Sequence, residues 1–191
     1  MKLQNIIITE ELKMKTRDET INSLFEKTLP QVFSPIMIKK IDRVFDGVIE
    51  PTEYSEKTTV VAYTKGNKIY VNTKNFYSIE PDKAIIYVLH EFCHLLQNQK
   101  AFYDLKKVNN DLYYCAMPYL RIWKVSKFLT GKTQNIHSDY KQEFLTYLMN
   151  NSEQINMLPE NVQKEYFSIL ERSGLFNMSS SFWKIRFKKA K

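Results

Sequence analysis

The sequence predicts an α+β fold, with a small twisted sheet in its first half, one long helix after the sheet, and a helical C-terminal half. Three observations predict this. Residues 58–64 and 68–72 are rich in β-branched and aromatic side chains and flank Lys65-Gly66-Asn67, the pattern of a β-hairpin. Residues 81–99 carry apolar side chains at helical spacing. Residues 101–173 repeat that spacing in several shorter segments. A chain of 191 residues with 43% hydrophobic and 14% aromatic residues has the means to build one packed core, so a single domain over 1–191 is expected.

In chain order, residues 3–8 suit a short strand. Residues 17–29 read as an amphipathic helix with Ile21, Leu24, Phe25 and Leu29 on one side, ended by Pro30, so 1–33 form an N-terminal helical segment. Residues 36–49, with Ile36, Ile38, Ile41, Val44, Val48 and Ile49, suggest at least one strand with a turn at Asp46-Gly47; residues 50–57 suggest a loop. With the hairpin they make a small sheet over 34–79. The long helix occupies 80–100, with Ser78 or Glu80 before it and Pro81 in its first turn. Residues 101–130 are helical, broken at Pro118, with Phe102, Tyr103, Tyr113, Tyr114, Tyr119, Trp123 and Phe128 serving as core or as the lining of a groove. Ser138 caps a further helix whose packing side is Tyr140, Phe144, Tyr147 and Leu148. Pro159-Glu160 opens another helix that Gly174 stops near Ser173. Residues 174–191 form a basic aromatic tail, either docked on the domain or open to an acidic partner.

Composition narrows the function classes. No apolar run approaches the roughly 18 residues of a membrane span, and the N-terminal run Ile6-Ile7-Ile8 is too short for a signal-peptide core. Two cysteines, Cys93 and Cys115, do not suggest a disulfide framework, so a reducing, cytoplasmic setting is expected. The net charge of +7 favours acidic partners without specifying nucleic acid.

The chemistry concentrates in Val88-Leu-His-Glu-Phe-Cys-His-Leu-Leu96, which holds two of the chain's three histidines. On a helix, His90 and His94 lie on one face about 6 Å apart along the axis, so both imidazoles can reach one metal ion. Glu91 lies about 100° around the helix, close enough to contact a metal-held water without ligating the metal. Zn²⁺ fits best: three protein ligands leave an open position for a water whose pKa falls to about 7. Cys93 lies about 100° off the ligand face and suits a buried apolar position.

His90-Glu91-Phe-Cys-His94 resembles the active-site helix of the zincin metallopeptidases, most strongly over residues 68–97 and more weakly to about 150. The resemblance implies a zincin-like α+β fold with an edge strand over the cleft, for which residues 68–72 are the candidate, able to hold an extended peptide by main-chain hydrogen bonds. Leu95-Leu96-Gln97-Asn98-Gln99-Lys100 after the motif does not fit the metzincin pattern. The gluzincin arrangement, in which a second helix presents a carboxylate, is similar to that of the anthrax-lethal-factor-like peptidases. It implies Glu143 as third zinc ligand, with Asp139 and His137 as alternatives. Relatives of that type stabilise the oxyanion with a tyrosine upstream of the ligand glutamate; here His137 and Tyr140 are the nearest donors. The expected function is therefore endopeptidase action on a protein or peptide substrate, with one Zn²⁺ per chain held by His90, His94 and Glu143, and Glu91 as general base. The alternative is a non-catalytic zincin-like binding protein that docks nucleic acid or an acidic partner through its basic tail.

Overall fold

A computed structural model describes residues 20–44, 49–52, 60–122, 144–150, 155 and 158–187. They form a mixed α+β arrangement, mostly helical, with one three-stranded sheet among the described residues.

Helix α1 covers residues 20–32 and buries Ile21, Phe25 and Val32. Pro30 does not end it, as the sequence suggests; the proline sits exposed in the last turn, where the helix has only two residues left to run. The carbonyls that this end leaves without intrahelical donors are taken by the C-terminal segment. Asn177 Nδ2 donates to Pro30 O (2.8 Å), and Asn177 N and Trp183 Nε1 both donate to Val32 O (3.0 and 2.9 Å).

The strand expected within 36–49 is a helix over most of that stretch. Helix α2 (Pro35–Asp42) starts at Ser34, whose hydroxyl accepts from Met37 N, with Pro35 in the first turn. Its i, i+4 pair Met37 and Ile41 enters the core while Ile36 stays exposed, so spacing outweighs the β-branched composition. The strand comes later: β1 (Ile49–Thr52) includes part of the expected loop and contains Pro51. A proline is tolerated there because β1 is an edge strand of the sheet among the described residues.

The expected hairpin forms. Strands β2 (Ala62–Lys65) and β3 (Lys68–Asn72) pair antiparallel around Gly66-Asn67, with Gly66 at φ 62°. The strand order is β1-β3-β2, with β1 parallel to β3. Residues 68–72 are therefore the central strand and not the edge over a cleft. Ile69 and Val71 are fully buried, and the parallel partner that closes the far side of β3 is the segment read as a loop. The edge nearer the long helix is β2.

Asn72 ends β3 and caps the short helix α3 (Thr73–Tyr77) by accepting from Asn75 N (3.1 Å). Ser78 belongs to the end of α3, donating to Asn75 O (2.7 Å), and does not start the next helix. Helix α4 (Pro81–Gln97) starts instead after Glu80, with Pro81 in its first turn. Helix α5 (Tyr103–Ile122) runs through Pro118 without a break; the turn around Pro118 is exposed, so water can take the carbonyl the proline leaves without a donor. Helix α6 (Phe144–Asn150) packs on α4 and α5, α7 (Glu160–Ser173) packs on α5, and α8 (Ser181–Arg186) closes the chain. Gly174 ends α7 at φ 65°, as its position in the sequence suggests.

One buried cluster runs from Ile21 to Phe187. Phe92 of α4 is part of it, edge-on to Phe25 (5.0 Å between centroids) and Phe33 (6.4 Å). The aromatics of the tail join this core: Trp183 and Phe187 are fully buried, while Lys184 and Ile185 stay exposed. Among the described residues no helix is long and apolar enough to cross a membrane.

Candidate functional site

Helix α4 sorts its residues by face. Ala84, Ile85, Val88, Leu89, Phe92, Cys93, Leu95 and Leu96 are buried. Tyr87, His90, Glu91 and His94, related by three, four and seven residues, share the opposite side, where Tyr87 is exposed and the other three are half-buried. The apolar face anchors the helix, and the two histidines and the glutamate are carried on its other side.

His90 Nε2 and His94 Nε2 stand 3.0 Å apart, with ring planes inclined at 72°. At this separation the two nitrogens can share either a proton or a cation. Two imidazole nitrogens on one tetrahedral Zn²⁺, each about 2.0–2.1 Å from it, lie about 3.3 Å apart. The observed pair fits that ion with a few tenths of an ångström of adjustment. Among the described residues no third His, Cys, Asp or Glu completes a metal-binding group.

Glu91 is held from the sheet. The hydroxyl of Thr64 on β2 is 2.8 Å from Glu91 Oε2 and 3.2 Å from the Glu91 carbonyl oxygen. The hairpin register explains how Thr64 gets there. Thr64 pairs with Ile69 and Ala62 with Val71, so these four side chains share the sheet face that packs on α4. The bond from Asn72 N to Val61 O (2.9 Å) fixes the alternation. Tyr63 and Tyr70 then form a hydrogen-bonded pair, and the main-chain groups of Ala62 and Thr64 point to the outer edge. On the other face Tyr63 and Tyr70 stack, 5.2 Å apart. Thr64 belongs to no motif of the sequence, although the alternation of 62–65 opposite 68–71 puts it on the helix-facing side.

Cys93 is no ligand. Its thiol is fully buried and directed at Met149 Sδ on α6 (3.3 Å), and burial pushes its pKa far up. Cys115 is also a free thiol.

Helix α6 is gripped at both ends by side chains that the sequence does not single out. Near its start, buried Asn109 of α5 accepts from Leu145 N (2.9 Å). At its end, Arg186 of α8 donates through Nε to Leu148 O and Met149 O (3.0 and 3.2 Å) and through Nη2 to Met149 O. Nη1 donates to Phe182 O (2.9 Å), and the guanidinium lies 3.5 Å over the Phe182 ring. Burial lowers the Arg186 pKa to about 10, which leaves it protonated at neutral pH. A buried cation at a helix C-terminus meets carbonyl oxygens of the last turn and the negative end of the dipole.

Of the expected site residues, His90, Glu91 and His94 stand together on α4; Glu143, His137, Tyr140 and Asp139 lie outside the described residues. The aromatics of α5 divide: Phe102 is buried, Tyr113 packs edge-on to Phe144 (5.2 Å), the Tyr119 hydroxyl accepts from Asn161 (2.9 Å), and Tyr103 and Tyr114 are exposed. Trp123 and Phe128 lie outside the described residues. Comparison with protein-family models, curated proteins and solved structures gave no match. Function must be read from the chain's own side chains.

Proposed function

We propose that this chain is a zinc-dependent endopeptidase of the gluzincin type, with a zincin-like fold. The observation that carries the reading is the pair of imidazole nitrogens 3.0 Å apart on one helix face, with Glu91 beside them. His90, His94 and Glu143 would hold Zn²⁺. Glu143 directly precedes Phe144, and Phe144, Leu145, Leu148 and Met149 are buried where α6 packs on α4, which supports delivery of a carboxylate from that side.

When bound, Zn²⁺ supplies Lewis acidity that acidifies water and polarises a carbonyl. Glu91 accepts the proton of the attacking water and returns it to the leaving amine. His137 or Tyr140 donates a hydrogen bond to the oxyanion. The outward main-chain groups of Ala62 and Thr64 on β2, and not those of the central strand 68–72, align an extended peptide.

The test is incubation of the zinc-loaded protein with a diverse peptide library and identification of new termini by mass spectrometry. Cleavage that stops with a chelator and returns with added zinc is expected. A folded, zinc-loaded protein that cuts no peptide would contradict the reading.

A further inference from the structure

We infer that Thr64 is a positioning residue for Glu91, fixing which carboxylate oxygen takes the proton from water. The inference rests on the peptidase reading of the same site. Its ground is the contact of the Thr64 hydroxyl with Glu91 Oε2 at 2.8 Å. A glutamate side chain turns about three bonds, and on a half-exposed helix face many of its rotamers point away from the histidines. The hydroxyl engages Oε2 and so limits the rotamers open to Glu91, leaving Oε1 as the oxygen that Thr64 does not engage.

Thr64 is suited to this. It is β-branched and stiff at its first torsion, it sits opposite buried Ile69, and its strand packs on the helix that bears Glu91. Its own main-chain groups face the outer edge of β2. A peptide pairing along that edge would hydrogen-bond the residue that aims the base, so substrate alignment and base alignment share one anchor.

The test compares Thr64→Val and Thr64→Ser with the wild type, all zinc-loaded. Valine keeps the shape and strand preference of threonine and removes only the hydroxyl. Two quantities are read at fixed pH: the carboxyl carbon signal of Glu91 in glutamate-labelled protein, and kcat and KM on a cleaved peptide. Thr64→Val should move the Glu91 signal and lower kcat roughly 10- to 100-fold, with KM within about twofold and zinc content unchanged. Thr64→Ser should restore both. An unmoved Glu91 signal in Thr64→Val, an unchanged kcat, or a serine variant as impaired as the valine one would each overturn the inference. A wild type that cleaves nothing while its Glu91 signal still responds to Thr64→Val would show the contact to be real and the peptidase reading to be at fault, and the positioning role would fall with that reading.

Discussion

Glu91→Gln should retain its zinc and lose peptide hydrolysis, with kcat falling roughly 10²- to 10⁴-fold. Glutamine has the shape of glutamate, and its amide oxygen can still accept the Thr64 hydroxyl that now reaches Oε2. His90 and His94 are untouched, so their shared position 3.0 Å apart survives. What disappears is the capacity to take a proton from water and deliver it to the amine. Because that capacity is used only as the reaction proceeds, kcat should fall while KM changes little. Steady-state kinetics together with elemental analysis of the same preparations check this. A glutamine variant as active as the wild type would remove Glu91 from the mechanism.

Arg186→Met should destabilise the fold by about 3 kcal/mol, because carbonyls at the end of α6 would be left buried without their donor. The guanidinium serves Leu148 O and Met149 O of α6 and Phe182 O of its own helix, and it covers the Phe182 ring. Methionine replaces the packing volume and none of the donors. In a chain of this size the melting temperature should fall by about 6–12 °C. Arg186→Lys should recover part of the loss, since an ammonium reaches fewer of these oxygens at once. Because α6 packs on α4 and directly follows Glu143, loosening it should also weaken zinc retention. Denaturant melts of the three proteins decide the matter; a methionine variant within about 0.5 kcal/mol of the wild type would show that water takes over the carbonyls.

Much of the scaffold was legible because its signals are local. Gly66 between two β-branched runs marks the hairpin, Pro81 and the apolar spacing mark α4, and Gly174 marks the end of α7. Where a signal competes with another local one, the reading failed. Ile36, Ile38 and Ile41 suggest a strand, but Ser34-Pro35 and the Met37–Ile41 spacing make a helix. Where the cause is distant, no local pattern could show it. Residues 50–52 look like part of a loop until they pair in parallel with 70–72, and that pairing moves 68–72 from the edge to the centre of the sheet. The His90-Glu91-His94 constellation needs only helix geometry and was visible at once. Thr64 needs the hairpin to be laid on α4, and Arg186 needs the end of α6 to be brought to the last helix; a basic residue in a basic tail reads as solvated until that packing is known.

Zinc content per folded chain, measured by elemental analysis after dialysis, addresses the metal site most directly when wild type, His94→Ala and Glu143→Ala are compared side by side. About one zinc per wild-type chain is expected, with near-complete loss in His94→Ala and marked weakening in Glu143→Ala. Zinc unchanged in Glu143→Ala would move the third ligand to His137 or Asp139. A folded wild type that takes up no zinc, even when zinc is added back, would contradict the metallopeptidase account outright.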